Sequence, residues 1–326
     1  MDNFSHQQNW TNFTDGSAPA WQMAPTHIFV ISSVISALGL IVNVPHIIIL
    51  SINPPGKYQG SINNRTLLIS TAVLDIIASV IKLPLDSHAA QYFLEKNTWA
   101  CAITATAYGL GLCTEVFLMI GCIDRFTVIK LGGRYATSVL GRHFGKFLLI
   151  PVFYYITLLG LIDGLYYDFI LRPRGFTICY YMVPKSKLVL LTFMLGIITP
   201  VLVTFSIYIA LVVTIKRNDK KRQHGNTMFS YRVATYIVIA TAGQLICWAP
   251  PFLNMILHAS GNFSWHVYYM GPLLVAVNSF IRPFIYGLMS KQYRRHASRT
   301  LLRCRRTTLF SIAHSSSVST SQTSQT

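Results

Sequence analysis

Only 11% of the 326 residues are charged, and acids are the scarcer kind, with 10 Asp and Glu against 27 Lys and Arg. An ordinary soluble domain carries about 25% charge, so a soluble globular chain is excluded as the starting class. Cysteine is sparse too. Six over this length make no dense disulfide framework, and Cys113, Cys122 and Cys247 fall inside apolar runs, where they read as small interior residues. Catalytic signatures are missing: there is no HExxH, no GxSxG and no P-loop. The intramembrane histidines His46 and His258 stand too far apart in depth to share a metal, so no enzyme activity, metal or cofactor is expected. No basic segment leads into a short apolar core at the N-terminus, and no cleaved signal peptide is expected.

Apolar residues supply 52% of the chain, with a mean hydropathy of +0.46. A hydrocarbon core about 30 Å thick needs roughly 20 residues of helix. Seven runs are long enough: about His27–Leu50, Leu67–Ala90, Ala100–Lys130, Phe144–Tyr167, Leu188–Ile215, Val233–His258 and His266–Met289. The net charge of +17 sits in short clusters between these runs. That placement argues for the cytoplasmic face of a membrane protein and against a nucleic-acid partner. Lys57, Arg65, Lys130, Arg134, Arg142, Lys146, the bases from Lys216 to Arg232 and those from Lys291 to Arg306 mark one side; the other holds only Lys96, Arg172, Arg174, Lys185 and Lys187. An odd number of spans then puts the N-terminus outside and the C-terminus inside a multi-pass plasma-membrane protein.

Four stretches follow. Residues 1–26 form an extracellular segment with glycosylation acceptors at Asn3, Asn9 and Asn12, and Asn262 offers another in an outer loop. The triplet at Asn64 falls on the inner side and should stay unmodified. Residues 27–290 form an all-α bundle of seven helices. Residues 291–303, opening with Lys291-Gln292-Tyr293-Arg294-Arg295, form a short amphipathic helix along the inner leaflet, followed by a disordered Ser/Thr-rich tail over 304–326 whose hydroxyls could accept phosphate. Cys304 is a candidate for palmitoylation; an unmodified basic tail is the alternative.

The polar residues inside the spans carry the function, because each costs about 2.5 to 3.5 kcal/mol near the centre of a membrane helix. In chain order stand Asn43, then Asp75 in Thr71-Ala72-Val73-Leu74-Asp75, then Asp124-Arg125-Phe126, then Tyr208 with Pro200 eight residues before it. Cys247-Trp248-Ala249-Pro250 and Asn278-Ser279-Phe280-Ile281-Arg282-Pro283-Phe284-Ile285-Tyr286 follow. In this order and in these spans the set resembles the rhodopsin-like G-protein-coupled receptors over essentially the whole helical part of the chain. It matches their DRY, CWxP and NSxxNPxxY motifs, with Phe126 and Arg282 as changes.

The resemblance implies a two-state switch. Asp124 would hold Arg125 at rest. On activation the cytoplasmic ends of spans five, six and seven would shift, bringing Tyr208 and Tyr286 to Arg125, with Pro250 and Pro283 bending their helices. Trp248 would form the pocket floor, or simply pack in the core. Cys101 and Cys179 resemble the bridge from span three to the second outer loop, with Cys101 one residue later than the usual spacing.

Three departures matter. Arg282 stands where the family has asparagine and requires an anion; Asp75, which faces the same polar cavity in the family, is the expected partner, in place of the sodium ion the family commonly binds. Snorkelling of Arg282 to the cytoplasm is the other reading. Glu115 and Gln244 replace an aliphatic residue and a phenylalanine beside Pro200; Glu115 either donates a proton to Gln244 or serves Arg282 as a second anion.

Ligands of this family enter between spans three, five, six and seven. Ala107 replaces the amine-binding aspartate and Ala276 the retinal lysine, so neither a biogenic amine nor retinal is expected. Lys82, Tyr108, Trp248, Asn254 and His258 are candidate pocket residues, although Lys82 and Asp86 could instead pair within one helix. The expected partners are an extracellular ligand, a heterotrimeric G protein, membrane lipid and, as a further candidate, arrestin. Two alternatives stand beside a working receptor: a receptor-like scaffold that no longer signals, and an ion- or proton-coupled transporter using Asp75, Glu115 and Arg282.

Overall fold

In hydrocarbon every backbone polar group must be satisfied within the protein, which leaves a helix as the economical way to build each apolar run. A computed structural model describes residues 26–52, 59–85, 98–157, 168–171, 177–180, 198–218, 224–259, 265–290 and 293–300. Its helices are α1 (Thr26–Ile52), α2 (Gln59–Leu85), α3 (Thr98–Leu131), α4 (Val139–Tyr155), α5 (Thr199–Asn218), α6 (His224–Ala259) and α7 (Trp265–Met289). A last helix, α8, covers 293–300. α1 packs on α2, α5 on α6 and α6 on α7, and α7 returns to α1 and α2; α3 runs through the middle of the bundle, against α2, α4, α5 and α6.

Three helix starts precede the hydropathy reading for one reason: helices outlast the membrane. α2 begins at Gln59, α4 at Val139 and α6 at His224, each several residues before its apolar run. Much of what reads as a third inner loop is therefore helix. The bundle also carries one element that period and hydropathy do not announce, an antiparallel hairpin of β1 (Asp168–Leu171) and β2 (Thr177–Tyr180), pairing Phe169 with Cys179.

Residue distribution is inverted relative to a soluble protein. Leu288 is 75% exposed, Ile246 70% and Phe153 68%, while Asn43, Asp124 and Gln244 are fully buried. Among the described residues two helical stretches, Val30–Ile52 and Ile62–Ile81, meet the length and hydropathy of a membrane span by themselves. The polar residues of the helices turn to the interior.

The loop between α3 and α4 is tightly built. Gly132 takes the left-handed conformation at φ +55°, which ends α3 and starts a 3-10 turn from Gly132 to Thr137. Ser138 then caps α4, its hydroxyl accepting from the Gly141 amide at 3.0 Å. A side chain at Gly141 would strike the Tyr135 carbonyl, so this glycine permits the turn to fold back on the helix start. The outcome is a fully buried Tyr135 aimed at the end of α3.

Candidate functional site

Toward the C-terminal end of α3, Asp124 and Arg125 are both almost wholly buried and form an ion pair through Arg125 Nη2 and Asp124 Oδ2. The carboxylate has further donors. Tyr135 donates its hydroxyl proton to Asp124 Oδ1, and Asn63 of α2 donates to the same oxygen at 3.2 Å. Asn63 also reaches the Tyr135 hydroxyl and, at 3.4 Å, the Gly141 carbonyl. Burial, with the charge of Asp124 second, holds the Tyr135 hydroxyl above the usual phenol range, so it remains a donor. Neither Asn63 nor Tyr135 stands out in the sequence, since a tyrosine in a loop is commonplace; its position 11 residues beyond Asp124 acquires meaning only through the Gly132 turn.

Deeper in the bundle, Arg282 Nη2 of α7 donates to Asp75 Oδ1 of α2 at 2.9 Å. Both side chains are at most 5% exposed, so Arg282 does not snorkel to water. The carboxylate that the family resemblance would give to a sodium ion is engaged by a guanidinium, and a second cation there would meet like charge. The residues present do not fit that ion.

Helix-to-helix hydrogen bonds surround the pair. Asn43 Nδ2 donates to the Gly39 and Ser279 carbonyls, each at 2.9 Å, tying α1 to α7. Gly39 is needed there, because a Cβ would sit 2.8 Å from Ser279 Oγ. Asn278 is buried beside them in the sequence, at 3% exposure.

Gln244 of α6 does not meet Glu115. Its amide donates to the Gly111 carbonyl at 3.0 Å and to Thr114 Oγ1 at 3.3 Å, one turn back along α3. Glu115 is 1% exposed, and neither of its oxygens has a hydrogen-bond partner among the described residues. It does lie in the field of Arg282. Of the two sequence readings for Glu115, the donor to Gln244 is therefore not the arrangement seen. Trp248 is 1% exposed and lies so close to Gly111 that a Cβ there would stand 3.0 Å from the indole Cζ2.

Tyr208 and Tyr286 pack on different clusters in this structure. Tyr208 packs on Ile129, Leu211 and Ala234. Tyr286 lies edge-on to His46, Tyr236 and Tyr293, with ring centroids 5.8, 5.2 and 5.4 Å away. His46 Nδ1 shares a 2.8 Å hydrogen bond with the Tyr293 hydroxyl, which pins α8 to α1. Burial, and then Tyr286, pushes the Tyr293 phenol up to about 12. Ser290 caps α8 by accepting from the Tyr293 amide at 3.2 Å, and Arg294 donates to the last carbonyls of α7 at Gly287 and Leu288. Pro250 and Pro283 lie within α6 and α7 as the sequence places them.

The remaining sequence candidates cannot be placed by side chain. Lys82, Cys101, Tyr108, Asn254 and His258 lie on described helices and Cys179 on β2, but their side chains fall outside the described residues, as do Asn3, Asn9, Asn12, Asn262 and Cys304 altogether. Asn64 is 5% exposed within α2.

Residues 57–286 match the model of a family described as 7 transmembrane receptor (rhodopsin family). Mouse proteinase-activated receptor 2 is similar at 27% identity over 267 residues, 73% of this chain and 62% of the relative. Its bovine counterpart is 25% identical over 238 residues, 66% of this chain and 58% of the relative. Mouse chemerin-like receptor 2 is 23% identical over 314 residues, 90% of this chain and 85% of the relative. The chain thus spans only about six-tenths of the length of these proteinase-activated receptors.

Proposed function

From the rhodopsin family of seven-transmembrane receptors, to which this chain belongs, we propose that it carries an extracellular signal to a cytoplasmic heterotrimeric G protein by outward movement of α6. Receptor signalling, not enzyme catalysis, is the work of this family. The observation that carries the proposal is the closed Asp124–Arg125 clasp at the inner end of α3, reinforced from α2 and the inner loop by Asn63 and Tyr135. A buried arginine held by its neighbour, with Nη1 free of any described partner, is a group kept in reserve. Opening the inner end of the bundle would release it toward Tyr208, Tyr286 and the G protein. The basic inner loops favour an extracellular N-terminus.

The ligand site in this reading lies above Trp248, between α3, α5, α6 and α7, with Lys82, Tyr108, Asn254 and His258 as its candidate walls. A Cys101–Cys179 bridge would hold the β-hairpin over it, and glycans on Asn3, Asn9, Asn12 and Asn262 would face outside. Ala107 and Ala276 disfavour amine and retinal, and the relatives are named for proteinase and chemerin. On the inner side, arrestin could follow phosphorylation of the tail, α8 would lie on lipid, and Cys304 could carry an acyl chain.

Agonist-free G-protein activation, wild type against Arg125→Ala across the G-protein classes, tests the reading. Signalling that Arg125→Ala reduces supports it. Equal, background output from both in every class would leave the scaffold that no longer signals. A transporter is disfavoured because Asp75 and Arg282 neutralise one another in a closed pair.

A further inference from the structure

Glu115 is the buried acid that the observed network leaves over. Both of its oxygens lack a hydrogen-bond partner among the described residues, at 1% exposure. A buried carboxyl group without a partner costs free energy, and so does a buried guanidinium with idle N–H groups. Arg282 is such a group: Nη2 is used on Asp75, while Nε and Nη1 have no partner among the described residues. The two residues lie within electrostatic reach yet form no ion pair. An acceptor and two donors, all out of water, are therefore left unmatched within one another's field.

The other groups around them do not resolve the mismatch. α2 contributes Asp75, already on Arg282. α6 contributes Gln244, which is turned to Gly111 and Thr114, and Tyr236 and Cys247, which lie in the field of Arg282. α7 packs chiefly against α1, α2 and α6, so closing Arg282 on Glu115 takes a movement of α7 toward α3.

We propose that Glu115 is the counter-ion Arg282 gains when the receptor switches: the guanidinium keeps Asp75 and closes its idle edge on Glu115 as the inner half of α7 moves toward α3. This rests on the signalling reading above. A contact absent in one state and made in the other is what biases a two-state equilibrium, whereas the Asp75 contact, kept in both, contributes to each alike. Glu115 is thus a positioning residue of the switch, and Asp75 an anchor of the fold.

The test uses the full chain in lipid nanodiscs, with two readouts: the melting temperature of the receptor alone, and its affinity for nucleotide-free G protein, tried across classes. Glu115→Gln keeps the shape and removes the charge. It should leave the melting temperature of the isolated receptor unchanged or higher, and weaken G-protein binding about tenfold or more, the scale of a lost charge-assisted hydrogen bond. Glu115→Asp, which keeps the charge on a shorter arm, should recover part of the affinity. The proposal is overturned if Glu115→Gln binds G protein like wild type, or if it melts as early as Asp75→Asn, which would make Glu115 a structural residue. If wild type itself binds no class of G protein, the signalling reading fails and the switch falls with it; that pattern is distinct, because the defect is then in wild type and not in the variant.

Discussion

Arg282 on α7 and Asp75 on α2 form a direct ion pair of 2.9 Å inside the bundle, 207 residues apart in the chain. Charge in hydrocarbon is tolerated when it is paired, and the loss of one partner strands the other. Asp75→Asn alone should therefore destabilise the receptor by about 3 to 5 kcal/mol, more than the double change Asp75→Asn with Arg282→Gln, which leaves no unpaired charge. Surface expression and melting temperature measure it. Equal damage from the single and double changes would show that the pair is not what holds these helices.

The clasp on Asp124 gives a prediction of opposite sign. Tyr135→Phe removes one donor from the carboxylate without changing the packing of a ring that is fully buried. A hydrogen bond to a charged group contributes about 1.5 to 3 kcal/mol, so the closed state should lose population by a factor of ten or more. Agonist-independent G-protein activation should rise accordingly, with Asn63→Ala acting in the same direction through its own bond to Asp124. The effect should not depend on pH in the neutral range. The phenol is raised in the folded protein, so its contribution is fully present below the unfolded value of about pH 10 and is lost only as pH rises beyond it. Basal output in Tyr135→Phe no higher than in wild type would show that this hydroxyl does not restrain the switch.

The sequence discloses residues that are costly where they stand and passes over those that are cheap. Asp75, Arg282, Asp124 and Arg125 are legible because an ionisable group within an apolar run demands a partner. The partner of Arg282 follows from there being few acids to choose from. Asn63 and Tyr135 are ordinary residues near a helix end, and only the Gly132 turn and the close approach at Gly141 bring them onto Asp124. The Gln244 bond is hidden for a related reason. Its amide has backbone within reach on α3, and a polar side chain facing a carbonyl needs no second polar side chain. Helix ends are the least legible, since the starts of α2 and α6 lie in polar sequence beyond the apolar run.

The His46–Tyr293 bond is the third relation that can be broken cleanly. His46 is 3% exposed on α1 and the Tyr293 hydroxyl reaches it from α8 at 2.8 Å, while the Tyr293 ring also packs on Tyr286. Tyr293→Phe keeps the ring contact and deletes the hydrogen bond, at a cost of about 1 kcal/mol. The Ser290 cap and this tether both act at the start of α8, so its order should depend on them. Amide exchange over 293–300 should therefore speed up about fivefold in Tyr293→Phe, the factor that corresponds to that cost, while exchange in the middle of α3 stays as in wild type. Tyr293→Ala, which removes the ring as well, should accelerate α8 further and extend the effect to the last turn of α7, where Arg294 holds the Gly287 and Leu288 carbonyls. Equal exchange over 293–300 in wild type and Tyr293→Phe would mean that the cap and the membrane alone keep α8 in place.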